Sequence, residues 1–345
     1  MEVLFNSSTG ASTRVALKSG ERLLMAGLRS GVDLPYECAT GTCGSCLATV
    51  EYGSVDNLWP QAPGVKATHG NQNRVLLCQC SARSDCVVSF TPPPTLSERH
   101  TSVPEYSSAE LIDVARLSHG LYEISVRCTT PYSPAPGQFM LVGAEGISGF
   151  RAYSVSAVEE GGLLLKFVVR VGLASGLSKI LCDLKSCGDE LRLFGPMGTA
   201  CLYPHDADDV SVVVGGSGLG VAMALANGFI NSASLSSRLL KIYIGLRTAD
   251  CDPVISRLRQ IHSYAPNRIS SVITFSESAT LLPSLPGVEF RSGLVHETVL
   301  ASLNTWSADP TVFVAGPPPM VDLTVRGLLK SRRCKPTNIR FDRFS

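Results

Sequence analysis

Along this chain the pattern of apolar and polar positions changes twice. Residues 1–92 carry short strand-like stretches such as Val3–Phe5 and Ala48–Glu51, and one early helical stretch over Arg22–Leu28. The run from Thr91 to Pro104 is interrupted by prolines, which favour extended chain and deny a continuing helix or sheet, so it predicts a semi-rigid linker. Beyond it, Tyr122–Val126, Phe139–Val142, Leu163–Val169 and Glu190–Phe194 are short alternating runs separated by Gly and Pro, the spacing of an antiparallel barrel. After Asp209 the texture becomes continuous apolar strands, at Val210–Val214, Lys241–Leu246, Ile269–Phe275 and Thr311–Val314, alternating with longer helical stretches. That is the signature of a parallel α/β sheet. The expected organisation is therefore a module at 1–92, a linker at 93–105, a barrel at 106–206 and an α/β domain at 207–345. A chain of 345 residues has the length for that number of cores.

Composition narrows the classes. Lys plus Arg total 30 against 29 acidic residues, so no basic field exists to hold a phosphate backbone, and nucleic acid is not an expected partner. The opening residues Met1 to Asn6 have neither a positive n-region nor a long apolar h-region, and the chain reads as cytoplasmic. The uncharged stretch from Val210 to Ser237 is long enough to suggest a membrane helix. Its glycines, Gly215, Gly216, Gly218 and Gly220 after the β-branched run Val212–Val214, read instead as strand, tight loop and helix of an α/β domain, with no membrane span.

Six of the twelve cysteines lie at or before Cys86, a distribution unlike a secreted disulfide scaffold. Cys38, Cys43 and Cys46 have the C-x₄-C-x₂-C spacing of plant-type [2Fe-2S] ligands, whose fourth thiolate comes from far downstream. Thiolates are soft ligands suited to iron, and Gly41 and Gly44 let the loop turn tightly around a small cluster. Zinc knuckles usually come in pairs, and only one is present. Cys78, Cys80 and Cys86 are the candidates for the fourth position.

Two further groups of residues suit nucleotides. Arg151-Ala152-Tyr153-Ser154, placed at the end of an expected strand, offers a guanidinium fork for a phosphate, a ring to pack along an isoalloxazine and a hydroxyl to reach its N5 edge. Gly172 and Ser175 precede a helical stretch whose free N–H groups would face a pyrophosphate. Gly215 to Gly220 closes a strand and opens a helix, the context of a nucleotide loop. With Val221 next it departs from the G-x-G-x-x-G fingerprint, and tight strand–helix packing is the alternative reading. The turn from Ala315 through Gly316 and Pro317 to Met320 follows the strand Thr311–Val314 and belongs at the carboxyl edge of the same sheet, where ligands bind. Asp250 and Asp252, just after Arg247, oppose a 2′-phosphate and favour NADH over NADPH; Arg247 argues the other way.

In this order the motifs resemble the ferredoxin–NADP⁺ reductase superfamily, specifically reductases in which a ferredoxin module precedes the flavin and nicotinamide domains. The resemblance spans nearly the whole chain. Asn57-Leu58-Trp59-Pro60 and the ending Phe341-Asp342-Arg343-Phe344 are particularly similar to toluene monooxygenase reductases. It implies a multidomain α+β and α/β protein: a β-grasp [2Fe-2S] ferredoxin, an antiparallel FAD-binding β-barrel and a parallel-sheet NAD-binding domain. It implies Cys78 as the fourth ligand, leaving Cys80 and Cys86 as packing residues. Ser154 would support the flavin N5, Phe344 would cover one flavin face, and Arg151, Tyr153, Gly172 and Ser175 would hold FAD. Gly216, Gly218, Arg247, Gly316 and Pro317 would hold the dinucleotide. Ala315 stands where the family usually places a cysteine beside the hydride-donating carbon. The implied activity passes electrons from NADH through FAD to the cluster, and on to a terminal oxygenase or its Rieske ferredoxin. A reductase of the same build serving radical sugar deoxygenation, and a non-catalytic redox sensor, are the competing functions.

Overall fold

The computed structural model describes residues 1–92, 102–171, 176–182, 187–203, 206, 209–232, 238–277 and 285–344. The amino-terminal module has β1 (Glu2–Ser7), β2 (Ser12–Ala16), α1 (Leu23–Arg29), β3 (Leu47–Tyr52), β4 (Val55–Asn57), β5 (Arg74–Leu76), β6 (Cys80–Ala82) and β7 (Cys86–Phe90). Its main sheet runs β2-β1-β7-β3-β5, with β1 and β7 parallel at the centre, and β4 and β6 pair separately. Helix α1 buries Leu23 to Leu28 across the sheet around Val3 and Phe5, so almost every position of this short helix is core.

Next, β8 (Glu105–Ser118), β9 (Leu121–Cys128), β10 (Phe139–Ala144), β11 (Arg151–Glu159), β12 (Leu164–Arg170) and, after the short helix α2 (Leu177–Leu181), β13 (Glu190–Met197) close an antiparallel barrel in the order β10-β11-β12-β9-β8-β13. The quartet at Arg151 thus opens a strand rather than ending one. Gly149, at φ +73°, supplies the left-handed turn that ends the preceding loop, a conformation open to glycine at little cost.

The last module contains β14 (Asp209–Gly215), α3 (Leu219–Asn231), β15 (Leu239–Leu246), α4 (Asp252–Tyr264), β16 (Ile269–Phe275), β17 (Val288–Ser292), α5 (Val295–Ser302), β18 (Thr311–Gly316), α6 (Pro318–Ser331) and β19 (Ile339–Arg343). All six strands are parallel in the order β17-β16-β15-β14-β18-β19. Strand order reverses at β14, so the connections leaving β14 and β18 diverge and open a crevice at their carboxyl ends. The uncharged stretch after Val210 resolves into β14, the glycine turn and the 13-residue α3; among the described residues no helix is long and apolar enough to cross a membrane.

The modules are not separately cored. Phe139, Leu141, Phe194 and Met197 of the barrel join the apolar cluster of the first module, Tyr106 Oη of β8 donates to Met25 Sδ of α1 at 3.2 Å, and Tyr36 Oη accepts the Gly198 N–H at 3.0 Å. On the other side, Leu117, Leu121 and Val168 of the barrel pack into the core around α3. Arg257 of α4 forms a two-pronged ion pair with Glu123 of β9, which is 4% exposed at its side chain. Arg340 likewise grips the buried Asp206.

Candidate functional site: a cysteine loop, a barrel strand and a nucleotide crevice

The loop between α1 and β3 bends through Ala39, Gly41 and Gly44, all at positive φ. This curl turns its backbone inward: Cys38 Sγ accepts the N–H groups of Thr40 and Cys43, each at 3.4 Å, and Cys43 Sγ accepts that of Ser45 at 3.4 Å. Gly64 seals one side, its N–H bonding Gly41 O at 2.9 Å, and a Cβ on Gly64 would meet Gly44 N at 2.7 Å. The thiols fall into two pairs. Cys38 bonds Cys43, and Cys46 Sγ lies 3.2 Å from Cys78 Sγ, which the short helical turn Leu77–Gln79 delivers and Gln79 Nε2 also contacts at 3.5 Å.

In each pair the neighbour's S–H holds one sulfur, Cys38 or Cys78, below its usual range as a thiolate and pushes the other up. Among the described residues no three His, Cys, Asp or Glu side chains gather around one point as a mononuclear metal needs. Two facing thiol pairs instead fit a two-iron cluster with two thiolates per iron. Cys80, fully buried, has its thiol pushed up to about 12 by desolvation, and Cys86 is raised for the same reason.

On the barrel, the start of β11 places Tyr153 against Phe167 with ring centroids 6.4 Å apart, its hydroxyl 3.0 Å from Ser178 Oγ. Ser154 is 8% exposed and pairs in register with Phe139. Exposed Arg151 donates to Phe150 O at 3.0 Å. Two residues beyond Ser154, Ser156 Oγ is buried with no partner among the described residues. A strand offering a guanidinium, an aromatic ring and a hydroxyl in sequence fits an elongated aromatic cofactor ending in phosphates. Gly172 and Ser175 lie outside the described residues; α2 begins directly after them.

A cavity of about 320 Å³ occupies the crevice between barrel and α/β sheet. Its floor is the glycine turn, where Gly216 sits at φ +56° and only Arg170 Nη1 lies near the space a side chain would take. Gly218 is packed so closely that a Cβ would meet Ala315 O at 2.2 Å, and Gly316, at φ +147°, would meet Gly215 O at 2.7 Å. The loop glycines thus serve tight strand packing and access together. No acidic residue stands in the first turn of α3 or α6, so both helix N-termini are open to an anion. Arg247, Gly216 and Pro317 line this cavity; Gly218, Gly316 and Ala315 are not among its lining residues. Ala315 is a core methyl, 2% exposed, with no polar function to offer. Phe344 N–H bonds Gly316 O at 2.9 Å, which tethers the carboxyl terminus to the turn.

The structure adds residues that pattern reading missed. Arg170 and His119 enter the cavity from the barrel and His296 from α5. Asp250 and Asp252 are not among its lining: Asp250 pairs with Arg116 of the barrel, and Asp252 starts α4. The carboxylate that meets Arg247 is Glu277, at 2.7 Å, brought there because its own N–H bonds Arg247 O at 2.9 Å across the strand ends. Glu277, two residues past β16, carried no sequence signal of that pairing.

Residues 7–83 match the family model of the 2Fe-2S iron-sulfur cluster binding domain. Over 331 residues the chain is 31% identical to ferredoxin–NAD(P)⁺ reductase CarAd of Metapseudomonas resinovorans, covering 94% of this chain and 95% of that one. It belongs to this family of ferredoxin–NAD(P)⁺ reductases. Other family members include the ferredoxin–NAD⁺ reductase component of the alkene monooxygenase system of Xanthobacter autotrophicus, 29% identical over 95% of this chain and 96% of that one. The solved ferredoxin reductase in carbazole 1,9a-dioxygenase superposes with a TM-score of 0.82 at 29% identity, over 100% of this chain and 99% of that one. The chain shares that fold over its whole length, and its cofactors are a [2Fe-2S] cluster, FAD and NADH.

Proposed function

We infer that this reductase is the electron-supplying component of a multicomponent oxygenase, taking hydride from NADH and delivering single electrons to a separate oxygenase protein. The observation that carries this reading is the shared apolar seam: the module bearing the cysteine pairs is packed on the flavin-type barrel, and the barrel on the nucleotide crevice, within one chain. Bound FAD supplies the conversion between two-electron and one-electron transfer that NADH and an iron–sulfur cluster require. Cys38, Cys43, Cys46 and Cys78 would hold the cluster. Arg151 and Ser175, with Gly172, would hold the flavin phosphates, Tyr153 would pack along the ring and Ser154 would hydrogen-bond its N5 edge. Phe344, tethered to Gly316, would shield the ring from water until nicotinamide displaces it. Gly216, Gly218, Gly316 and Pro317 shape the dinucleotide seat, and Ala315 fills the space beneath it without touching a proton. NADH is favoured because Glu277 occupies Arg247 and adds negative charge to the cavity rim. The acceptor is the oxygenase or its Rieske ferredoxin, reached through the exposed Cys43 edge of the cluster loop.

Anaerobic stopped-flow mixing with NADH tests this. Flavin bleaching followed by cluster bleaching, with electrons appearing on an added oxygenase component, is the expected sequence. A protein whose flavin is reduced while its cluster stays oxidised would overturn the reading.

A further inference from the structure

We propose that Arg22 is a positioning residue for electron transfer: its guanidinium, wedged against Gly149 between the Cys78 side of the cluster and Arg151 of the flavin strand, favours the reduced cluster and so sets the direction of flow. The proposal rests on the cluster assignment above. Arg22 is the N-cap residue of α1, and its backbone bridges to Ser81, three residues beyond Cys78, so its stem is fixed to the cluster module. Its head reaches the barrel: a Cβ built on Gly149 would lie 2.3 Å from Arg22 Nη2 and 3.2 Å from Cζ. A side chain there would have to push the guanidinium aside, and the φ of +73° favours glycine.

Two other cations of the module are compensated. Arg29 is bound by Glu21 at 2.7 Å and Arg83 by Asp56 at 2.7 Å. Arg22 has no carboxylate partner among the described residues; Cys78 is the charge that attracts it and Arg151 the one that repels it. It is also mostly removed from water, where a charge is felt over longer range. The electron count gives the sign. Two ferric ions, two sulfides and four thiolates sum to two negative charges; accepting one electron, with one ferric ion reduced to ferrous and the NADH-reduced flavin oxidised by one electron, makes three. A fixed cation stabilises the more negative state, and cluster potentials follow such charges.

The test uses full-length protein loaded with FAD and cluster. Arg22→Gln and Arg22→Lys are titrated electrochemically with EPR detection of the reduced cluster, and the flavin–cluster electron distribution is measured after limiting NADH. Arg22→Gln is expected to shift the distribution about tenfold toward reduced flavin, a cluster potential about 59 mV lower for one electron. Arg22→Lys should stay within about threefold of the parent, and hydride transfer to flavin should be unchanged in both. A role in packing alone would move neither potential, so an unshifted Arg22→Gln overturns the proposal, as does a lysine variant shifted as far as the glutamine one. If Arg22→Gln fails to retain its cluster, Gly149→Ala displaces the guanidinium with Arg22 intact, and a parental potential in that variant overturns the proposal. Absence of any cluster signal from the parent protein would instead sink the cluster assignment itself.

Discussion

Glu277→Gln should convert a reductase that prefers NADH into one that uses both nucleotides. Arg247 and Glu277 are about half exposed, and an ion pair of that kind is worth about 0.2–1 kcal/mol, so releasing the guanidinium costs little stability. The gain lies in removing the carboxylate that a 2′-phosphate would face. A phosphate carrying nearly two charges at roughly 7 Å in water-like dielectric is repelled by one carboxylate by about 1 kcal/mol, and a guanidinium at similar range attracts it by as much. Arg247 carries its charge in both proteins, so the change is the lost repulsion, about 1 kcal/mol, a gain of roughly fivefold in kcat/KM for NADPH, with NADH altered less than about twofold. Steady-state cytochrome c reduction with each nucleotide measures it, and the gain should fade as ionic strength rises. If NADPH efficiency stays unchanged while NADH efficiency falls, Glu277 contacts the NADH ribose rather than guarding the rim.

Other substitutions probe the remaining parts. Cys78→Ser should abolish the cluster absorbance while Cys80→Ser keeps it, because Cys80 is a buried neutral thiol on the far side of the turn; the reverse result would reassign the fourth ligand. Glu123→Gln leaves Arg257, a third exposed, half-partnered between barrel and α4; urea unfolding should show a loss of about 2–3 kcal/mol, and a Glu123→Leu, Arg257→Met pair should recover most of it. His262, 6% exposed with a ring nitrogen 2.9 Å from Ser271 Oγ, has its pKa lowered from 6.5 by burial. The unfolded chain therefore binds the proton first, and stability conferred above pH 6.5 is lost as pH falls through and below that value. Stability curves from pH 7.5 to 5 should be flatter in His262→Gln, and an unchanged slope would remove His262 from the acid sensitivity.

What the sequence disclosed and what it withheld separate along contact range. Cys38, Cys43 and Cys46 announce themselves because one loop must carry all three, whereas Cys78 needed a family resemblance, since its approach to Cys46 is a product of tertiary packing. The barrel and the parallel sheet were legible from the alternating and continuous apolar runs, and the Gly216 loop from its place between β14 and α3. The flavin quartet was placed at the wrong end of its strand because the left-handed turn at Gly149 sets where β11 begins. Nucleotide preference was argued from Asp250 and Asp252, the nearest acids in sequence. The fold turns Asp250 toward Arg116 and brings Glu277, 30 residues from Arg247, to the rim instead. Arg170, His119 and Arg22 were invisible for the same reason: each acts in a module other than its own.

The central claim is that hydride taken in the nucleotide crevice leaves through the cysteine loop one electron at a time. Freeze-quench EPR of the FAD- and cluster-loaded protein, mixed anaerobically with NADH, addresses it directly. The account predicts the signal of a reduced [2Fe-2S] cluster growing in after flavin reduction, and in Cys43→Ser a flavin still reduced by NADH with no such signal. An intact cluster signal in Cys43→Ser, or a parent protein whose cluster never accepts an electron from NADH, would contradict it.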